Sequence, residues 1–390
     1  MKILGIETSC DETGASVVLN GQWILSNVVA SSLKQHQKYG GIIPEIASRR
    51  QIELISLVVA QALKNSKTKL KDMDAIAVTT HPGLIGSLLV GISFARALGY
   101  STGKPLIEVD HIKAHVYANF LKSQQNPSTN TLKPKLPAIG LVVSGGHSSI
   151  FEIHDFKNFQ LLGQTRDDAA GEAFDKVARI LQLGYPGGPA IDRLARRGVN
   201  NEIRFPFAEL PGTNDFSFSG VKTAVLYFVR TYKPGFCPAK GGAKSLPVRP
   251  SASPRGEQAG AHRAGTLKSQ RDFNETARVN PDILSRQRRG KIWDKNKNTL
   301  PVEKIAYAFQ NSVVTVLVNK CLAVCKAKRI STLLVGGGVA ANTMLRKRLR
   351  KQAKIAGVHV FFPPLSLCLD NAAMIAGYGF QLLTKKRSFK

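Results

Sequence analysis

Lys2-Ile-Leu-Gly-Ile-Glu7 runs straight into a small polar turn, Thr8-Ser-Cys-Asp-Glu-Thr-Gly14, and out again through Ala15-Ser-Val-Val-Leu19, Asn20-Gly21 and Gln22-Trp-Ile-Leu25. Apolar β-formers broken by turn residues, with Asn-Gly at the second break, predict a meander of antiparallel strands. About 135 residues later the scheme starts again with Pro137-Ala-Ile-Gly-Leu-Val-Val143, the turn Ser144-Gly-Gly-His-Ser148 and the strand Ser149-Ile-Phe-Glu-Ile153. Two readings fit this repetition. The hairpins are unrelated, or one unit is duplicated into two lobes that each offer a turn to a central cleft, suited to a nucleotide whose phosphates sit between them.

Outward from these stretches, helical periodicity from about Pro44 to Lys64 and from Leu84 to Leu98 alternates with the strands Ala75-Ile-Ala-Val-Thr79 and Pro105-Leu-Ile-Glu-Val109. Strands alternating with helices imply an α/β lobe with helices packed on a sheet. Beyond the second meander come an amphipathic helix from about Glu303 to Lys328, the strand Thr332-Leu-Leu-Val335, the turn Gly336-Gly-Gly338 and a helix from Asn342 to Ala356. Residues 233 to 300 differ, with fifteen Lys and Arg against five Asp and Glu and little hydrophobic period. They are expected to form a disordered or loosely ordered insertion, because they lack the apolar surface that offsets ordering entropy.

The 390 residues carry 55 Lys and Arg against 26 Asp and Glu, a formal net charge of +29, with 43% hydrophobic residues. That apolar content excludes wholesale disorder, and the length exceeds what one core usually supports. The excess charge points to a polyanionic partner, nucleic acid ahead of an anionic surface. Five cysteines without a CxxC pair exclude a disulfide scaffold and a zinc ribbon. The longest weakly polar run, Gly83 to Ala95, falls short of the roughly 20 residues that span a bilayer, so a cytoplasmic chain without a membrane segment is expected.

Asp110-His111-Ile-Lys-Ala-His115 follows a strand. An Asp N-cap would start a helix there, and i, i+4 spacing puts both imidazoles on one face, as a shared metal requires. A metalloprotease of the zincin type is disfavoured, since its general-base Glu would stand where Ile112 is. Asp370 offers a third ligand, or else it caps the last helix; two His and one carboxylate leave coordination positions open, which suits Fe(II) or Zn(II). The glycines of Val142-Val-Ser-Gly-Gly146 allow backbone N–H groups close to phosphates, or make an ordinary hairpin. Asp175 and Asp192 flank the turn at Gly188 and suit ribose hydroxyls or helix capping. Asp11 and Glu12 sit at the first hairpin turn, where they hold a metal or orient a nucleophile, or are simply solvated.

Taken together, these strings resemble one family, the universal tRNA adenosine threonylcarbamoyltransferases formerly misnamed O-sialoglycoprotein endopeptidases. The matching pieces are Gly5-Ile-Glu-Thr-Ser-Cys-Asp-Glu-Thr-Gly14, Tyr39-Gly-Gly-Ile-Ile-Pro-Glu-Ile-Ala-Ser-Arg49, His111-Ile-Lys-Ala-His115, Val142-Val-Ser-Gly-Gly-His147 and Gly171-Glu-Ala-Phe-Asp-Lys-Val-Ala178. Tyr185-Pro-Gly-Gly-Pro189, Phe216-Ser-Phe-Ser-Gly-Val-Lys-Thr-Ala224, Gly336-Gly-Gly-Val-Ala-Ala-Asn342 and Asp370-Asn-Ala-Ala-Met-Ile-Ala376 follow in family order. Departures are Thr80-His81-Pro-Gly for a usual Gly-Pro-Gly, Gln51 for a frequent His, Leu369 for a frequent Thr, and the 233–300 stretch, where the usual connection is short.

The resemblance implies an actin-like ATPase fold of the sugar-kinase and heat-shock-protein class, two lobes around a central cleft. Lobe I is expected to hold residues 1–118 with a C-terminal helix at 371–390, and lobe II residues 119–370. It implies transfer of a threonylcarbamoyl group from threonylcarbamoyl-AMP to the exocyclic amine of the adenosine beside the anticodon, in tRNAs reading codons that begin with A. Carried over by position, His111, His115 and Asp370 look like ligands of one Fe(2+) per subunit, with Zn(2+) as the alternative. Val142, Val143, Ser144, Gly145 and Gly146, with Asp175, Gly188, Asp192 and Asn342, look like the site for the adenylate and its acyl group. Asp11 and Glu12 are expected to orient the amine or a metal water. tRNA is the implied partner, with an inert paralogue of the same fold and a small P-loop ATPase as complex members. The competing readings are a small-molecule kinase of this fold, the disfavoured metalloprotease and a non-catalytic paralogue. Deleting 233–300 is expected to leave activity intact and to change mainly the salt dependence of tRNA affinity, measured by binding titrations; lost folding or lost transfer would count against a dispensable insertion.

Overall fold

The computed structural model describes residues 1–123, 133–199, 202–232 and 300–387. The insertion expected at 233–300 lies, apart from Leu300, outside the described residues. Met1–Arg230 and Pro301–Lys390 form one compact unit, which carries everything described below.

The strands are β1 (Lys2–Glu7), β2 (Glu12–Leu19), β3 (Trp23–Ser31), β4 (Ala75–His81), β5 (Leu106–Asp110), β6 (Lys122–Ser123), β7 (Ala138–Val143), β8 (Ser148–Ile153), β9 (Phe159–Gln164), β10 (Thr332–Gly336) and β11 (His359–Phe361). The described helices, in chain order, are α1 (Leu33–Gln37), α2 (Pro44–Asn65), α3 (Ile85–Thr102), α4 (His111–Tyr117), α5 (Ala170–Ile180), α6 (Gly187–Ala195), α7 (Ser219–Thr231), α8 (Val302–Lys328), α9 (Thr343–Ile355) and α10 (Ala372–Arg387).

One sheet has the order β5-β4-β1-β2-β3-β6 and the other β11-β10-β7-β8-β9. In the first, β1, β2 and β3 pair antiparallel while β4 and β5 join parallel to β1. In the second, β7, β8 and β9 pair antiparallel while β10 and β11 join parallel to β7. Five strands of each sheet therefore share one order and one set of directions. This decides between the two readings of the repetition: the meanders belong to a duplicated architecture.

Period-two alternation gives the first sheet two buried faces. Leu4, Ile6, Ala15, Val17, Ile76 and Val78 pack against Ile55, Val58 and Val59 of α2. Ile3, Val18, Ala75, Ala77, Ile107 and Val109 pack against Ala373 to Ala376 of α10. Helix α8 is long and apolar enough to cross a membrane, but 67% of its apolar window is buried inside the protein, as in the core helix of a globular fold.

Helix α4 lies between the two sheets. Its Ala114 and Tyr117, with the following Ala118, belong to the core of the first sheet and α10, while Ile112 and Val116 pack with Ala138, Val142, Ile153 and Leu334 of the second. His111 and His115 occupy what remains of its circumference. Seven residues are too few for an isolated helix; Asp110 starts this one, its Oδ1 accepting from the amides of Ile112 (2.9 Å) and Lys113 (3.1 Å), and burial from both sides holds it.

Gly5 marks how closely α10 approaches β1. A Cβ there would collide with the carbonyl oxygen of Ala372 and lie 2.7 Å from the amide nitrogen of Ala376, both backbone atoms that cannot swing aside. Gly5→Ala is expected to cost about 1–3 kcal/mol or more in urea unfolding, whereas Gly220→Ala in α7, where the new methyl meets nothing within 4 Å, leaves stability unchanged or higher. Equal midpoints for Gly5→Ala and the parent would contradict this packing.

Candidate metal centre

His111 and His115 face the same way from α4, with ring centroids 4.6 Å apart and planes at 79°. Asp370 reaches them from the loop before α10: its Oδ1 lies 3.2 Å from His115 Nε2 and 3.5 Å from His111 Nε2. One donor atom from each residue lies within 4.8 Å of the others. The alternative role for Asp370, capping the last helix, falls to its neighbour: Asn371 Oδ1 accepts from the Met374 amide at 3.1 Å. Asp370 is thereby left to face the histidines.

Glu7, which the sequence reading passed over as the acid ending a strand, is fully buried at the back of the cluster. Its Oε2 accepts from Thr79 Oγ1 (2.6 Å) and lies 3.0 Å from His111 Nδ1, while its Oε1 accepts from the Ser9 amide (2.5 Å). A signal was present in the alternation, since Ile3, Gly5 and Glu7 share the strand face that meets α10. With Nδ1 engaged by a carboxylate, His111 presents Nε2 to Asp370. Burial opposes the charge on Glu7, but the His111 cation beside it outweighs burial and holds the Glu7 carboxyl below its ordinary range. Burial also opposes charge on His111 and Asp370 and is outweighed: the carboxylates of Glu7 and then Asp370 lift His111 well above its usual value, and the His111 and His115 rings hold Asp370 far below.

His115 is different. It is wholly buried and, among the described residues, neither ring nitrogen has a hydrogen-bond partner, the approach to Asp370 lacking hydrogen-bonding alignment. Burial pushes its pKa down, toward the neutral form that binds metal. Buried imidazole nitrogens without partners are costly unless something else satisfies them. An N,N,O donor set with open positions is what a divalent transition metal satisfies, so the residues present fit such an ion.

Asp11 ends the turn between β1 and β2, and Glu12 is the first residue of β2. This turn is bolted down by its carbonyls: Ser9 O accepts from the Leu84 amide (2.8 Å), Asp11 O from the Ser32 amide (3.1 Å) and hydroxyl (2.8 Å), and Cys10 O from Ser87 Oγ (3.1 Å). Gln51, at the position where a His was expected, donates through Nε2 to Cys10 O and Glu12 O at 3.0 Å each. Burial, reinforced by the charges of Asp370 and Asp11, pushes the Glu12 carboxyl well above its usual value.

On the other side, Val142 and Val143 end β7 fully buried, and Ser144 to His147 form a closed turn, the Ser144 amide donating to His147 O at 2.8 Å. Gly145 and Gly146 are exposed, with open space where a Cβ would project. The Gly171 amide at the start of α5 donates to Ser144 O (3.1 Å). Gly337, at φ +89°, backs onto this turn so closely that a Cβ would strike Val143 O, which joins the third glycine turn to the second.

Asp175 lies within α5 and caps a different helix: its Oδ1 accepts from the Gly187 amide at the start of α6 (2.7 Å), and the next residue, Gly188, is half-buried with open space where a Cβ would project. Asp192 accepts from Thr343 Oγ1 (2.8 Å) and from Gln310 Nε2 (3.2 Å), and Gln310 Oε1 accepts from Asn342 Nδ2 (2.9 Å). Asn342 Oδ1 in turn caps α9 through the Leu345 amide (2.9 Å). Asp192 and Asn342 are thus tied into a buried network through Gln310, a residue the sequence reading missed, while the histidines and Asp370 form a separate group.

A family model described as tRNA N6-adenosine threonylcarbamoyltransferase matches residues 23–377. A protein of that name from Clostridium botulinum (strain 657 / Type Ba4) is 42% identical over 381 residues, covering 97% of this chain and 92% of its own. Another of that name, from Thermodesulfovibrio yellowstonii, is 42% identical over 385 residues, covering 99% and 95%. Among solved structures, T. kodakarensis HypF shares the fold, with a TM-score of 0.53 at 12% identity over 98% of this chain and 48% of that one. The fold is of the expected actin-like ATPase and sugar-kinase class.

Glu7→Gln is expected to weaken zinc(II) binding by about 10–100-fold, the usual effect of losing a carboxylate behind a ligating histidine. Competition against a chromophoric chelator measures it, and unchanged affinity in a folded variant would remove Glu7 from the centre.

Proposed function

Because the chain belongs to the tRNA N6-adenosine threonylcarbamoyltransferase family and is a transferase of tRNA modification, we propose that it moves a threonylcarbamoyl group from threonylcarbamoyl-AMP to the exocyclic amine of the adenosine beside the anticodon. The tRNAs are those reading codons that begin with A. The observation that carries the reading is the convergence of His111, His115 and Asp370, backed by Glu7, on a helix held between the two sheets.

The exocyclic amine of adenine is a poor nucleophile, because its lone pair is delocalised into the ring. The electrophile must therefore be activated and the amine placed against it. His111 and His115, each through Nε2, and an oxygen of Asp370 would hold one Fe(2+), or Zn(2+) in its place. When bound, the ion supplies a Lewis acid for the acyl carbonyl or the departing phosphate. The open backbone of Ser144, Gly145 and Gly146 offers amides for the phosphate of the adenylate, with Val142 and Val143 as the apolar wall leading into that turn. Asp175 positions the N-terminus of α6 and, through it, Gly188 at the rim. Asp192 and Asn342 keep the start of α9 in place for the nucleoside, and each retains a lone pair or an amide proton for its hydroxyls. Asp11 and Glu12 orient the amine.

In this reading the protein works in the cytoplasm on tRNA, in a complex with an inert paralogue of its fold and a small P-loop ATPase. A small-molecule kinase of the same fold would instead turn over ATP on a soluble acceptor and need no tRNA.

Incubating purified protein with threonylcarbamoyl-AMP and unmodified tRNA is expected to yield threonylcarbamoyladenosine by mass spectrometry of the nucleosides, and His111→Ala to reduce the yield at least a hundredfold. Product formation unaffected by losing His111 would end the metal part of the mechanism, and absence of product from the parent protein would end the transferase reading. Asp11→Ala and Glu12→Ala are each expected to slow transfer at least tenfold with metal affinity unchanged; rates equal to the parent would exclude both from the chemistry.

A further inference from the structure

The outward face of α9 takes no part in the centre. The helix reads Thr343-Met-Leu-Arg-Lys-Arg-Leu-Arg-Lys-Gln-Ala-Lys-Ile355, with six cations and no acid. Two of the six are used inside the protein. Arg346 donates to Ala340 O (2.7 Å), Pro363 O (2.8 Å) and Cys368 Sγ (3.1 Å), and Arg348 donates to Thr315 Oγ1 (2.6 Å) and to Asn311 Oδ1.

The other four, Lys347, Arg350, Lys351 and Lys354, are exposed. Their spacing of i, i+3, i+4 and i+7 lines them up on one side of the helix, over about 10 Å at 1.5 Å per residue. Among the described residues none of these four has an ion-pair partner. Some other surface cations are neutralised locally, Arg49 by Glu45, Arg50 by Glu53, Lys176 by Asp168 and Glu172, Arg196 by Asp192 and Arg197 by Glu303; what sets α9 apart is four surface cations in one row on a helix without an acid. Like charges three and four apart on one helix face repel. The stripe therefore works against the stability of its own helix.

Its place in the fold is fixed from both ends of the site. Asn342 caps the helix, and Thr343 is hydrogen-bonded to Asp192. Arg346 clamps the chain at Pro363 and Cys368, two residues before Asp370. Phe362 lies under Arg346 and Arg350, 4.8 and 5.3 Å from ring centroid to guanidinium, and stiffens the arginine at the middle of the row.

Resting on the transferase reading above, we propose that Lys347, Arg350, Lys351 and Lys354 form a phosphate-binding ridge for the tRNA substrate, seating a stretch of its backbone while the adenosine enters the site. A row of unpaired cations on a rigid helix suits a polyanion of regular charge spacing, and the contacts are to phosphates, so they position the RNA without reading its sequence.

The test is the variant K347Q/R350Q/K351Q/K354Q, assayed for tRNA binding from 50 to 200 mM salt. Removing four phosphate contacts is expected to make the slope of log affinity against log salt shallower by about three, at roughly 0.7–0.9 per contact. The KM for tRNA should rise about tenfold or more at low salt, while kcat at saturating tRNA and zinc(II) affinity stay at parent values and the low-salt melting temperature stays equal or rises. An unchanged slope and KM in the folded variant would overturn the proposal, as would an unchanged slope accompanied by lost binding to an acidic protein partner. Should the quadruple variant fail to fold, K347Q/R350Q and K351Q/K354Q are each expected to remove about half the slope change, and no change in either overturns it. The slope judges the ridge even if the parent protein makes no modified nucleoside, so the two readings can fail separately.

Discussion

A seven-residue helix between two sheets is the constraint on which the structure turns. Helix α4 has one side in the core of the first sheet, through Ala114 and Tyr117, and another in the core of the second, through Ile112 and Val116. It has too few internal hydrogen bonds to persist alone, so its geometry is imposed by the two cores and the Asp110 cap. What those contacts leave over is the side bearing His111 and His115. The same packing brings α10 against β1, with room only for glycine at position 5, and so delivers Asp370 opposite the histidines.

Charge is sorted with equal strictness. In a chain of net charge +29, Glu7, Asp11, Glu12 and Asp370 are gathered at one place around two buried imidazoles. Such a concentration is unfavourable without positive charge in its midst, as the raised Glu12 carboxyl and the lifted His111 record. Within the protein His111 supplies that charge between Glu7 and Asp370, while burial pushes the His115 pKa down and its nitrogens have no hydrogen-bond partner among the described residues. The surface cations sit apart from this centre, some of them beside acids, and, among the described residues, four line up without an ion-pair partner on α9. An anionic interior that receives a metal and a cationic exterior that receives a polyanion are compatible because protein of low polarisability and bound structure separate them.

The second sheet repeats the strand order of the first but is put to another use. In the first sheet the turn after β1 holds acids; in the second the turn after β7 holds glycines. The two corresponding turns thus differ in chemistry, carboxylates in one and bare glycine amides in the other. The buried Asp192, Gln310 and Asn342, with the exposed Thr343 at the edge, then join α6, α8 and α9 in one network. Satisfied polar networks of this kind hold elements in one arrangement.

How much of this was legible in advance depended on range. The pair His111 and His115 could be read because i, i+4 spacing is a property of the local helix, and Asp110 as its cap because capping is local too. The meanders were legible from period-two patterning, but whether they were unrelated or duplicated was not, since β4, β5, β10 and β11 pair across long separations that no local pattern encodes. Glu7 was overlooked because its partners Thr79 and His111 are distant in sequence, and Gln310 because an amide inside a long apolar helix shows no sign of what it meets. Asp370 was readable only as one of two things, and the cap at Asn371 separated them. By itself the sequence determined the elements, the histidine pair, the glycine turns and the charge, because these rest on short-range periodicity and composition. Which acids surround the histidines, which side chains are spent on structure, and which cations remain free were decided by the tertiary structure, because burial and pairing depend on what the rest of the chain brings alongside.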